Sequence, residues 1–177
     1  MTFVALIILF IVISLLIFMI ASFALFSVGL FFELPYVATD AEKVKTIIKL
    51  SNIKKGERIV DLGSGDGRLL YAAAQKGAYA IGYELNPLLV IITMIHANLK
   101  NLSNNVLVKK QSLWEADLKT ADVVFVYGRK HTMKRFEDFI YKNCKKGTRV
   151  TVNSDKTITF PNKKPISKEN GIYLYKV

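Results

Sequence analysis

The chain has 177 residues, 51% of them hydrophobic, with 25 Lys and Arg against 14 Asp and Glu. None of that charge lies in the 31 residues Thr2–Phe32, so the formal net charge of +11 belongs to the 145 residues Glu33–Val177. The first stretch exceeds the roughly 18 apolar residues that read as a membrane span, and the second is the size of one domain. These proportions exclude a multidomain enzyme, a wholly soluble protein and a multi-pass transporter. The single cysteine, Cys144, excludes an intramolecular disulfide framework and points to a reducing compartment.

A helix over Thr2–Phe32 would measure ~46 Å against a hydrocarbon core of ~30 Å, enough to cross with tilt. A secretory signal peptide would bring a basic n-region and an apolar run about half as long. Ser22-Phe23-Ala24 does imitate a cleavage site and keeps that alternative open. Only the α-amino group precedes the run, whereas Lys43, Lys45 and Lys49 follow it closely. The positive-inside bias therefore places the remainder on the cytoplasmic side. The expected organisation is one transmembrane helix, residues 1–32, followed by one domain, residues 33–177.

Pro35 biases its predecessor toward extended backbone, so Leu34–Ala38 reads as a short connector. Thr39-Asp40-Ala41-Glu42 fits a capping box with Thr39 as N-cap and Glu42 reaching back. Val44, Ile47, Ile48 and Leu50 form the apolar stripe of the helix it opens. Arg58–Leu62 is a short buried strand, then glycines, then a helix over Arg68–Lys76. Ala78–Glu84 is the next strand. Asn86-Pro87 caps a helix running to about Asn101. Strands follow at Val106–Lys110, Asp122–Tyr127 and Thr148–Val152, with a helix over Met133–Asn143 before the last. Thr157–Phe160 and Gly171–Tyr175 are expected to close the sheet. Strands alternating with helices predict an α/β fold with a mainly parallel, Rossmann-like sheet.

Asp61-Leu62-Gly63-Ser64-Gly65-Asp66-Gly67 lies where a strand hands over to a helix, the place for a tight turn and a close ligand. Its glycines occupy the first, third and fifth positions, whereas a dinucleotide fingerprint has its third glycine one residue later. Asp61 precedes the first glycine by two, and Glu84 ends the next strand 23 residues on. There a carboxylate can accept both hydroxyls of an adenosyl ribose. Two carboxylates suit ribose hydroxyls and a cationic sulfonium better than a pyrophosphate.

The segments Val60–Gly67 and Tyr83–Pro87 resemble the class I, seven-strand S-adenosylmethionine (SAM)-dependent methyltransferases. A narrower resemblance covers nearly the whole chain: the leading apolar helix, Pro35-Tyr36-Val37, Asp61–Arg68, Gly82–Pro87 and Leu113-Trp114. Together these are similar to the ATP synthase c-subunit and adenine nucleotide translocase lysine methyltransferases and their prokaryotic relatives. The resemblance implies a compact seven-strand methyltransferase sheet and SAM as cofactor. It also implies a protein-lysine N-methyltransferase acting on a membrane protein, such as a small proteolipid of the ATP synthase c type. Cofactor contacts are expected from Asp61, Gly63, Ser64, Gly65, Asp66, Gly67, Glu84, Asn86, Ser112 and Leu113. Two positions depart from the family pattern. Ser112 stands where an acidic residue usually precedes Leu-Trp, and Ala38 replaces a common proline.

Transfer to a lysine demands aligned donor and acceptor, and an amine with a pKa near 10.4 must be neutral to attack. A nearby sulfonium and partial desolvation both favour the neutral amine, so no general base is assigned. Tyr127, ending the fourth strand, is the candidate for orienting the acceptor, and Tyr36 for a lid; packed aromatics are the plainer reading of both. His96 reads as structural and His131 as a solvated residue. With one cysteine they offer no metal-ligand spacing. Asp66 reads as a cap of the following helix. Arg129, Lys130, Lys134, Arg135, Lys142, Lys145 and Lys146 form either a solvated face or one turned to anionic headgroups. No aromatic-basic RNA module is visible, so no nucleic acid is expected. A methyltransferase for a lipid, quinone or RNA, or a non-catalytic SAM binder, remains as the alternative.

Overall fold

The computed structural model describes residues 2–30, 38–154 and 158–177. The chain divides into two units, Met1–Tyr36 and Val37–Val177. In the first, α1 is an uninterrupted helix over Thr2–Leu30. Its stretch Phe3–Phe23 is long and apolar enough to cross a membrane, a test that signal sequences also pass.

The second unit opens with α2, Ala41–Ser51, and alternates β1 (Arg58–Leu62), α3 (Arg68–Ala74), β2 (Tyr79–Glu84), α4 (Pro87–Leu99) and β3 (Val106–Lys110). A 3₁₀ turn at Leu113–Glu115 leads to β4 (Val123–Gly128), α5 (Met133–Asn143), β5 (Arg149–Ser154), β6 (Ser167–Glu169) and β7 (Ile172–Lys176). The strands form one sheet in the order β3-β2-β1-β4-β5-β7-β6. β7 runs antiparallel to β5 and β6, and the other pairings are parallel. Strands buried on both faces need continuous apolar sequence, and Ile59, Val60 and Val123–Val126 supply it at 3% exposure or less. The strand order reverses between β1 and β4, so their C-terminal ends flank the crevice where ligands bind in open α/β sheets.

Most expected elements lie within two residues of their observed limits; two expectations need correction. Helix α2 is capped one residue later than the sequence suggests. Asp40 is the N-cap and accepts from the Lys43 amide at 2.8 Å. Thr39 is engaged elsewhere: its hydroxyl lies 3.4 Å from Asn153 Nδ2, and its carbonyl accepts from Arg68 Nη1. The described part of the Thr157–Phe160 segment is not a strand. Side chains pin it instead, with Phe160 buried 4.6 Å from the Tyr175 ring and its amide donating to the Tyr175 hydroxyl. The closing edge is β6, returned onto β7 by Asn170-Gly171, both at positive φ. Asn-Gly is the dipeptide that a two-residue hairpin of this hand favours.

Several basic residues around α5 have partners of their own. Arg135 stacks on Trp114 at 3.9 Å, Lys134 pairs with Asp138, and Lys145 pairs with Asp122.

Candidate active site

The glycine loop between β1 and α3 is fastened by its own backbone to β2 and α4. The Gly63 and Ser64 amides both donate to the Tyr83 carbonyl, at 3.0 and 3.1 Å, and the Gly67 amide donates to Ser64 O. The Gly65 amide donates to Glu84 Oε2 at 2.9 Å, while Glu84 Oε1 accepts from the Asn86 amide at 2.8 Å. On the far side, Thr93 of α4 donates its hydroxyl to the Gly65 carbonyl at 3.2 Å. The Tyr71 hydroxyl lies within hydrogen-bonding distance of the carbonyls of Asp66 and Thr93.

A phosphate-binding loop offers its amides to the ligand. Here the amides of Gly63, Ser64, Gly65 and Gly67 already have protein acceptors, and one of those acceptors is a carboxylate. Asp61, 5% exposed, has its carboxyl pushed up to about 8 by burial, with the carboxylates of Glu84 and Asp66 adding to the effect. Asp66 in the loop and Glu84 at the end of β2 disfavour an anion, and the buried Asp61 carboxyl ionises more readily beside a cation. The Ser64 hydroxyl is buried without a hydrogen-bond partner. These features fit a cationic, hydroxyl-bearing ligand and do not fit a pyrophosphate.

Gly67 is required here by conformation and by space. Its φ is +80°, and a Cβ would stand 2.4 Å from Thr93 Cγ2 and 2.7 Å from the Tyr71 hydroxyl. A left-handed backbone with a side chain costs about 1–2 kcal/mol and overpacking about 1–3 more. Gly67→Ala is therefore expected to lower the melting temperature by roughly 5–15 °C. An unchanged thermal transition would show that the loop relaxes without resistance.

The other expected site residues distribute as follows. Asp66 accepts from the Arg68 amide at 3.3 Å and pairs with the Arg68 guanidinium at 2.6 Å, but the N-cap position of α3 is Gly67 and no side chain caps it. Asn86 caps α4, accepting from the Leu88 amide. Ser112 accepts from the Trp114 amide at 3.4 Å and opens the 3₁₀ turn. The turn brings Leu113 over the loop, its Cδ2 3.7 Å from where a Cβ on Gly63 would be. Tyr127 is the penultimate residue of β4, opposite Asn153 in the parallel register, half-buried, with its hydroxyl shielded from solvent. Tyr36 lies outside the described residues. His96 meets Tyr71 edge-on at 6.3 Å, and His131 is exposed. Among the described residues no group of three His, Cys, Asp or Glu is placed to hold a metal. Burial pushes the Cys144 thiol up to about 11, so it is a poor nucleophile.

Two residues of this edge were missed by sequence reasoning. Asn153 is 4% exposed, and its Oδ1 has no hydrogen-bond partner. A polar residue at the C-terminal end of a buried parallel strand was the available signal, and it was lost by ending that strand at Val152. Arg68 holds Asp66 with one side of its guanidinium and Thr39 O with the other, tying the segment before α2 to the glycine loop.

The ANTKMT methyltransferase domain model matches residues 61–164, more than half of the chain. The chain is 36% identical over 119 residues to the mouse adenine nucleotide translocase lysine N-methyltransferase, covering 67% of this chain and 52% of that protein. It is 31% identical over 117 residues to the human ATP synthase c-subunit lysine N-methyltransferase, covering 66% and 50%. It thus spans about half the length of these relatives. A protein-lysine N-methyltransferase of Saccharolobus islandicus is 25% identical over 150 residues, 81% of this chain and 93% of that one. Among solved structures, an RNA methyltransferase from Salinibacter ruber in complex with S-adenosylhomocysteine superposes with a TM-score of 0.72. It shares 26% identity and covers 79% of this chain and 93% of its own. The matched span begins at Asp61, takes in the whole carboxylate-lined loop and runs past β5, and by it this chain belongs to the ANTKMT methyltransferase family.

Proposed function

We propose that the chain is a SAM-dependent protein-lysine N-methyltransferase, anchored by residues 1–32 and acting through residues 33–177 on a lysine of a membrane protein. The observation that carries the reading is the glycine loop, whose Gly63, Ser64, Gly65 and Gly67 amides are internally satisfied and beside which the carboxyl groups of Asp61, Glu84 and Asp66 interact. When bound, SAM supplies a methyl group on a sulfonium already activated for displacement by an amine. Asp61 and Glu84 hold the cationic and hydroxyl-bearing parts of the cofactor. Ser64, Asn86, Ser112 and Leu113 complete its surround, and the backbone at Gly63, Gly65 and Gly67 allows the close approach. Tyr127, with Asn153 beside it on β5, orients the acceptor amine. Desolvation at the ends of β4 and β5 favours the neutral amine, so the reading needs no dedicated base. The names of the mouse and human relatives support a membrane protein as acceptor, with a small proteolipid or a carrier as examples. Lys43, Lys45 and Lys49 support a cytoplasmic catalytic domain. The S. ruber structure and the charge of +11 give RNA as the second reading.

One experiment separates these readings. The full chain is incubated with methyl-labelled SAM and native membranes, and the labelled molecule is identified. Label in one membrane protein, at lysine, is expected; label in lipid extract or RNA would sink the lysine reading. The ten residues between Leu30 and Ala41 reach at most ~36 Å, so an anchored site stays near the headgroups. Deleting Met1–Leu34 should leave affinity for S-adenosylhomocysteine unchanged and lower methylation of reconstituted membranes, while sparing a soluble peptide carrying the same lysine. Equal loss on both acceptors would assign the helix to folding, and equal retention would deny it a part in substrate choice.

A further inference from the structure

Helix α4 is apolar on both of its sides. Val90, Thr93 and Ala97 face inward and are buried. Leu88, Ile91, Ile92, Met94, Ile95 and Leu99 are 39–74% exposed and dominate the outer surface, which exposed His96 and Asn98 interrupt near its C-terminal end. A contiguous apolar surface of this kind marks an interaction site. With 13 residues, α4 is ~20 Å long, too short to cross a bilayer but suited to lying in its interface.

The rim of this face selects the occupant. No acidic residue occurs between Leu85 and Asn105. Exposed Lys100 follows the C-terminal end of α4. Exposed Lys110 ends the edge strand β3, on the same side as Val106 and Val108, which pack against the core cluster that includes α3. An apolar stripe flanked by lysines complements anionic headgroups above acyl chains.

We propose that α4 is a second membrane contact, an in-plane face that seats the catalytic domain on an anionic bilayer surface. Its tether rests on the anchored reading above; its own chemistry does not. Seating α4, whose first turn opens beside Glu84, brings the cofactor crevice to the headgroup level and orients it toward lysines emerging from the bilayer. The anchor alone sets distance, and α4 sets orientation.

The test uses the full chain with Cys144→Ser and one nitrobenzoxadiazole probe at Ile95→Cys, Leu16→Cys or Lys164→Cys. Each is reconstituted into phosphatidylcholine vesicles with or without phosphatidylglycerol, and acyl chains carrying nitroxide quenchers are added. Residue 95 should be quenched and blue-shifted in vesicles containing phosphatidylglycerol, and residue 164 should not. Lys100→Gln with Lys110→Gln should weaken this docking roughly 25-fold, each lysine near an anionic surface contributing about fivefold. Quenching at 16 with none at 95 would overturn the α4 proposal and leave the anchor standing. Quenching at 95 with none at 16 would keep α4 and overturn the anchor. A blue shift at 95 that depends on protein concentration and not on lipid would assign the face to a second copy of the chain and overturn the proposal.

Discussion

Glu84→Ala is expected to weaken S-adenosylhomocysteine binding by ten- to hundred-fold. The carboxylate is the acceptor for two backbone amides, Gly65 at 2.9 Å and Asn86 at 2.8 Å, and is the acceptor proposed for the cofactor ribose. Hydrogen bonds to a charged group contribute about 1.5–3 kcal/mol each, and 1.4 kcal/mol is a factor of ten in affinity. Truncation therefore removes a ligand contact and loosens the loop that shapes the site. Glu84→Gln keeps one carbonyl oxygen and should lose less. Calorimetric titration of the three proteins checks the affinities, and amide exchange at Gly65 checks the loop. An unchanged dissociation constant in the alanine variant would place the cofactor elsewhere. Faster exchange with unchanged affinity would leave Glu84 a role in the loop alone.

Raising the pH from about 6 to about 8 is expected to strengthen SAM binding by up to about a hundredfold. Burial, aided by Glu84 and Asp66, pushes the Asp61 carboxyl from its ordinary 3.8 up to about 8, so at pH 6 it is mostly protonated before the cofactor arrives. A cation beside it favours the carboxylate, so binding releases a proton and affinity rises about tenfold per pH unit until the carboxyl ionises by itself. The same linkage acts on the fold with the opposite preference. The raised carboxyl contributes stability that is fully present below 3.8 and lost as pH rises through about 8. The ligand-free protein should thus lose stability toward alkaline pH, and the thermal shift on adding SAM should be larger at pH 8.5 than at 6.5. Asp61→Asn isolates this group from the titration of SAM itself and should flatten the affinity profile. A wild-type profile equally flat would show that Asp61 does not meet the cofactor's positive charge.

The order of the elements is legible in the chain alone, because the hydrophobic period and the punctuating residues are local. Val106–Lys110 and Met133–Asn143 stand within the limits that their pattern implies. Asp61, the glycines and Glu84 were legible because their spacing and their place at strand ends are written in the chain. Long-range partners decided the rest. Thr39 fits a cap by local pattern, but Arg68 and Asn153 compete for its polar groups, so Asp40 took the position. Phe160 reads as strand, yet the Tyr175 ring 15 residues later holds it out of the ladder. The preference for a cation was legible in Asp61 and Glu84, and the fold added a second reason that only long-range contacts hold: Tyr83, Ser64 and Glu84 had taken the amides a phosphate would need. The apolar outer face of α4 was invisible for the same reason: periodicity marks which residues are apolar, and only packing shows which of them the core leaves uncovered.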